Sequence, residues 1–260
     1  VPTVLHITDC HLLAEPDGCL LDTDTAATLD AVLACALRQH RPDLLLATGD
    51  LAHDCGAAGY ERFARIVRAR YPGPVLALPG NHDFGAALRD TLGAHGMIVP
   101  APELAATSVA GWQIIGLDSH EDHAPGARIG DAAIAALRAQ LAAADGPVLL
   151  ALHHPLVPVG TPWLDKDCPA GGASLLEWLA EQSPVRGIVY GHVHQQVTDT
   201  AGPCAVLGTP STCFQFAPGS QRFALDARAP GWRWLFLAEP GAGADGAAAL
   251  ETQVVRLPAA

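Results

Sequence analysis

Six short apolar runs, "TVLHIT", "DLLLATG", "PVLALPG", "WQIIGLDS", "GPVLLALHH" and "RGIVYG", punctuate the chain up to Gly191, and each stops at a polar or glycine-containing turn. Runs that stay apolar without alternating predict strands covered on both faces. Between them lie stretches at helical spacing, residues 24–39, 57–70, 131–143 and 173–182. The first sets Leu29, Val32, Leu33, Ala36 and Leu37 on one face, with Thr23 or Asp24 as its N-cap. Past Gly191 the pattern changes. "PCAVLG", "QRFALDA", "GWRWLFLA" and "TQVVRL" read as successive strands with little helix between, and residues 239–250 ("EPGAGADGAAAL") read as a flexible hairpin loop. The predicted architecture is α/β, closed by a β-rich part from about residue 196.

Composition narrows this picture. The 260 residues suffice for one sizeable core and contain no low-complexity linker, which predicts a single domain over 1–260. A formal net charge of -12 with no window rich in Lys and Arg argues against long nucleic acids as partners. Seven cysteines, scattered and without a CxxC pair, suggest neither a disulfide framework nor a zinc knuckle. With no signal-peptide pattern and no apolar run long enough for a membrane span, a cytoplasmic protein is expected.

The chemistry sits where the apolar runs end. Asp9 and His11 follow the first, Gly49 and Asp50 the second, and Gly80, Asn81, His82 and Asp83 the third. His153 and His154 follow the fifth, and Gly191, His192, Val193 and His194 the sixth. Ligands for one site gather in this way at the carboxyl edge of a sheet. In an extended segment, residues i and i+2 point the same way, so Asp9 with His11, and His192 with His194, would each offer two ligands to one point. Seven candidates (Asp9, His11, Asp50, Asn81, His153, His192 and His194) exceed a tetrahedral centre and suit two metals sharing a carboxylate. Carboxylate, imidazole and amide oxygen without thiolate favour Mn, Fe or Zn.

The blocks "DCH", "GD", "GNHD", "HHP" and "GHVH", in that order over residues 9 to 194, resemble the signature of the calcineurin-like metallophosphoesterases. The resemblance implies a four-layer α/β/β/α sandwich, two mixed β-sheets flanked by helices. It also implies two divalent or trivalent metal ions. Asp9, His11 and His194 would hold one, Asn81, His153 and His192 the other, and Asp50 would bridge them. His82 would be the catalytic residue, facing the substrate phosphate and either stabilising charge or protonating the leaving oxygen, and Asn81, His82 and His194 would contact substrate. A metal pair about 3.5–4 Å apart activates water and neutralises phosphoryl oxygens, so an anionic chain can still take an anionic ester.

The segments "ATGDLAHD", "HHPLVPVGTPWLD", "GTPSTCFQF" and "ALDARAPGWRWLFL" resemble the class III cyclic-nucleotide phosphodiesterases, in particular the bacterial 3',5'-cyclic AMP branch. The implied activity is hydrolysis of 3',5'-cyclic AMP, with cyclic GMP as a further substrate, to the 5'-monophosphate. A 2',3'-cyclic nucleotide, a glycerophosphodiester and a non-catalytic scaffold are the alternatives, and a homodimer is left open. Other residues take plainer readings: His6, His40, His95, His120 and His123 as surface or hydrogen-bonded core histidines, and Cys10 as core packing. His53 and His154 are balanced between a role at the site and a structural one, whereas Trp163, an aromatic in a Pro/Gly loop, reads first as an anchor of that loop, with stacking on a base as the alternative.

Overall fold

The structure, a computed structural model, describes residues 1–53, 56–182, 184–238 and 250–258. Strands β1 (Thr3–Ile7), β2 (Leu44–Thr48) and β3 (Val75–Leu78) run parallel, separated by helices α1 (Thr25–Gln39) and α2 (Ala57–Arg70). Helix α3 (Gly85–Ala94) and the edge strand β4 (Leu104–Val109) lead to β5 (Trp112–Leu117). Then come α4 (Asp131–Ala142), β6 (Val148–Ala151), α5 (Pro162–Asp165), α6 (Gly172–Glu181) and β7 (Val185–Tyr190). The C-terminal part contains β8 (Val197–Ala201), β9 (Cys204–Gly208), β10 (Gln215–Phe216), β11 (Leu225–Asp226), β12 (Gly231–Leu237) and β13 (Leu250–Arg256).

Two mixed sheets result, ordered β13-β12-β1-β2-β3 and β4-β5-β6-β7-β9-β8, with β10 and β11 forming a small ribbon. The apolar runs divide with period two, as strands covered on both faces must. Leu5, Ile7, Leu45, Ala47, Val75 and Ala77 pack under α1, α2 and α3, whereas Val4, Leu44, Leu46, Leu76 and Leu78 face the second sheet. In that sheet Leu149 and Ala151 face inward, and Val148 and Leu150 pack under α4 and α6. The layers are therefore helix, sheet, sheet, helix.

The four expected helices form within a residue or two of their sequence limits, and Asp24 is the cap of α1, its Oδ1 accepting from Ala27 N at 2.9 Å. Helices α3 and α5 and strands β4 and β8 were not expected. β4 and β8 are edge strands whose exposed positions carry Ala, Thr, Asp and Ser, and α3 offers only Leu88 and Leu92 to the core. "QRFALDA" contributes only the two residues of β11. Of the expected 239–250 loop, Leu250 opens β13 and the rest lies outside the described residues. No helix among the described residues is long and apolar enough to cross a membrane.

Candidate metal centre

The parallel strands β1, β2 and β3 of one sheet and β6 and β7 of the other end at a common edge. The loops leaving them bring all seven candidate ligands together. Asp9, His11, Asp50, His153, His192 and His194 are each at least nine-tenths buried. The route differs from strand alternation. Asp9, His11, Asp50, His192 and His194 have φ of 54°, 46°, 50°, 65° and 49°, the left-handed region, so the chain turns sharply at each ligand after its strand has ended. Asp and His enter that region more readily than β-branched residues do, which makes these residue types apt for the turns as well as for the chemistry. Glycine is required beside them. Gly49 has φ of 93°, and a Cβ there would lie 2.5 Å from His153 Nδ1.

Two clusters flank Asp50. In the first, His11 Nε2 and His194 Nε2 lie 3.1 Å apart, and Asp9 Oδ1 is 3.4 Å from His194 Nε2. In the second, Asn81 Oδ1 lies 3.1 Å from His153 Nε2 and 2.9 Å from His192 Nδ1. Asp50 Oδ2 stands between them, 3.6 Å from His11 Nε2 and 3.5 Å from His153 Nε2. Its other oxygen is engaged, accepting from the backbone N–H of His82 at 2.9 Å.

The outer hydrogen bonds fix which atoms face inward. His153 Nδ1 donates to Thr48 O at 2.7 Å and His194 Nδ1 donates to Phe214 O at 2.8 Å, which leaves both Nε2 atoms as lone pairs. Burial drives the His11 pKa well below its ordinary value, with His194, His82 and His53 pushing the same way, so that ring is neutral as well. The fixed lone pairs of His153 and His194 thus converge with the carboxylate oxygens of Asp9 and Asp50. Such a set is repulsive by itself and is what a cation requires, so the residues fit a metal pair.

Both ring nitrogens of His154 are engaged away from the two clusters. Its Nδ1 meets Ser119 Oγ at 3.0 Å and its Nε2 meets Pro125 O at 3.2 Å. His53 contacts His11 through the two Nδ1 atoms at 3.1 Å and stacks on His82 with ring centroids 4.6 Å apart. Cys10 lies in the core beneath α1, its thiol pKa raised well above the ordinary value by burial. His6, the plainest of the core histidines, is held between Thr48 Oγ1 and Thr209 Oγ1 at 2.7 Å each.

Two residues were given no role by the sequence pattern. Asp83 accepts from Leu51 N, Ala52 N and Gly80 N at 3.1, 3.0 and 2.9 Å, tying the loop of Asp50 to that of Asn81. Burial, with the nearby Asp50 charge, raises its pKa to about 6 against those hydrogen bonds. The "GNHD" block held a signal for it. Asp167 places Oδ2 at 3.4 Å from His192 Nε2, a buried nitrogen that makes no hydrogen bond. No motif marks it. The "GTPSTCFQF" segment mostly braces ligands: Ser211 Oγ donates to Asp9 O at 2.8 Å, and Phe216 stacks on His194 at 4.1 Å.

The centre opens into a cavity of about 220 Å³ lined by His11, Asp50, Asn81, His82, His192 and His194 on one side and by Trp163, Leu164, Lys166, Asp167 and Phe216 on the other. A larger cavity, about 430 Å³, lies at the N-terminal ends of β2 and β3, lined by Arg41, Asp43, Tyr71 and neighbouring prolines. It contains no histidine, so chemistry rather than size locates the site.

Known proteins share this chain's sequence and fold. The chain is 39% identical over 256 residues to the 3',5'-cyclic adenosine monophosphate phosphodiesterase of Escherichia coli K12, covering 98% of this chain and 89% of that one. It is 37% identical to the Vibrio vulnificus protein of the same name, again over 98% and 89%. A dimetal phosphatase from Danio rerio shares the fold with a TM-score of 0.66 at 15% identity, covering 90% of this chain and 95% of that one. The pattern described as calcineurin-like phosphoesterase matches residues 2–196, and the chain belongs to that family.

Proposed function

We propose that the protein is a dinuclear metal-dependent phosphodiesterase that adds water across the 3' P–O bond of 3',5'-cyclic AMP, giving the 5'-monophosphate. The carrying observation is the position of Asp50 Oδ2, 3.6 and 3.5 Å from one nitrogen of each cluster, where a bridging ligand belongs. The names of the Escherichia coli and Vibrio relatives support the substrate.

Asp9, His11 and His194 would hold one ion, Asn81, His153 and His192 the other, with Asp50 shared. When bound, the pair supplies Lewis acidity to the phosphoryl oxygens and lowers the pKa of water. The protein's own groups do the rest. Thr48 O and Phe214 O keep the tautomers of His153 and His194, Asp50 Oδ1 is fixed by the His82 amide, and the His82 ring, stacked on His53, delivers a proton to the leaving O3'. Asn81, His82 and His194 line the cavity where the phosphate would lie. The oxygen and nitrogen donors suit Fe, Mn or Zn. The C-terminal strands β12 and β13 complete the sheet that β1 begins, which supports reading 1–260 as one domain. Six free cysteines among the described residues support a reducing cytoplasm.

The test is hydrolysis of 3',5'-cyclic AMP by chelator-stripped protein titrated with Mn²⁺, alongside a generic aryl phosphodiester. Metal-dependent turnover with a kcat/KM preference for cyclic AMP is expected. Cleavage of the aryl ester without cyclic AMP turnover would remove the substrate and keep the chemistry.

A further inference from the structure

The wall of the cavity facing the metal ligands is built largely from one short segment. Trp163 lies in α5 and Lys166 directly follows it, and both line the cavity with Phe216. Lys166 is the only lysine in a chain of net charge -12. It is also the one Lys or Arg among the residues lining this cavity. An acidic protein that admits an anionic diester gains from a cation at the mouth, where the field is focused between low-dielectric walls.

The indole is held firmly. Its Nε1–H donates to Ser220 Oγ at 3.1 Å, and its ring meets Phe216 edgewise at 4.9 Å and Phe223 at 5.6 Å. The segment is tied down as well: Val159 N donates to Asp165 Oδ1 at 2.8 Å, and Ala127 N donates to Asp167 O at 2.9 Å. Phe216 in turn stacks on the ligand His194, so the aromatic surface runs unbroken from the metal centre outward. Its outer member, Phe223, is 53% exposed, an apolar ring left uncovered where a bound planar group could extend. A wall whose orientation is already fixed loses little entropy on binding.

We propose that Trp163 and Lys166 form the substrate-selecting wall of the site, the indole stacking on the nucleobase of a nucleotide ester and the ammonium binding a non-bridging phosphoryl oxygen. This deepens the phosphodiesterase reading and rests on it. Trp163 sets preference for a diester carrying a planar base, and Lys166 sets affinity for any phosphodiester. The division of labour separates them from residues that merely anchor the loop.

The experiment compares Trp163→Leu, Trp163→Phe, Lys166→Gln and Lys166→Arg with the Mn²⁺-loaded wild type. It measures kcat and KM for cyclic AMP and for sn-glycero-3-phosphoethanolamine, AMP binding by calorimetry, metal content and Tm. Trp163→Leu is expected to weaken AMP binding and cyclic AMP kcat/KM about tenfold. It should leave the ratio for the aliphatic diester within about twofold of wild type, and Trp163→Phe should restore much of the loss. Lys166→Gln is expected to raise KM for both substrates about fivefold with kcat nearly unchanged, and Lys166→Arg to restore it. Equal loss on both substrates in Trp163→Leu, or no change in AMP binding, would overturn the role of Trp163. Unchanged KM in Lys166→Gln would overturn that of Lys166. If the wild type cleaves other diesters and not cyclic AMP, the substrate reading falls, and AMP calorimetry still reads the wall independently.

Discussion

Arg233 Nη2 donates to the Gly208 carbonyl at 2.8 Å, and this bond joins β12 of the first sheet to β9 of the second through the centre of the molecule. The guanidinium also reaches Thr209 Oγ1, Thr252 Oγ1 and Val197 O at 3.2, 2.8 and 3.0 Å. Burial lowers its pKa to about 10, so it remains charged at neutral pH. Arg233→Met keeps the volume and abandons four acceptors, two of them, Gly208 O and Thr209 Oγ1, fully buried. Urea unfolding should show a loss of about 2–4 kcal/mol, since each stranded buried group costs about 1 kcal/mol or more.

Asp50→Asn removes the charge shared by the two clusters and keeps the shape. Turnover should fall to below a few per cent of wild type, with circular dichroism unchanged and fewer than two metals bound per chain. Activity retained with full metal content would dismiss Asp50 as the bridge.

Asp83→Ala leaves the N–H groups of Leu51, Ala52 and Gly80 without their acceptor. The two loops it ties carry Asp50 and Asn81. A loss of about 2–4 kcal/mol in stability is expected from denaturant titration. Metal affinity, measured by competition with a chelator, should fall with it.

His120 supplies a pH dependence away from the metals. Burial lowers its pKa, but the hydrogen bonds and charges of Asp118 and Asp122, at 3.3 and 2.8 Å, outweigh that and raise it from 6.5 to about 9. A folded-state pKa above the unfolded one means that the pair stabilises fully below pH 6.5 and is lost as pH rises through about 9. The contribution is on the order of 2 kcal/mol. Tm against pH should decline across this window, and His120→Gln should flatten the decline.

Much of this was readable from the chain. Continuous apolar runs fixed the inner strands because both their faces are covered, and the polar residues ending them are the ones that converge. Edge strands β4 and β8 escaped because one face and one edge meet solvent, which removes the apolar signal. Asp167 escaped because its approach to His192 depends on how the loop after α5 folds back, and no local pattern records that. The i, i+2 argument for Asp9 with His11 reached a correct neighbourhood by an incorrect path, because left-handed turns rather than an extended strand aim the side chains.

Those left-handed turns couple folding to loading. Holding five ligand residues at positive φ costs about 1 kcal/mol each, and crowding buried acceptors together adds to it. A bound cation would offset both terms. The free energy of metal binding would then be partly spent on closing three strand exits at once, with Asp50 standing between the two clusters. The apoprotein should exchange amide hydrogens fastest along this edge, and saturating metal should raise Tm by more than a preformed surface site of equal ligand number would.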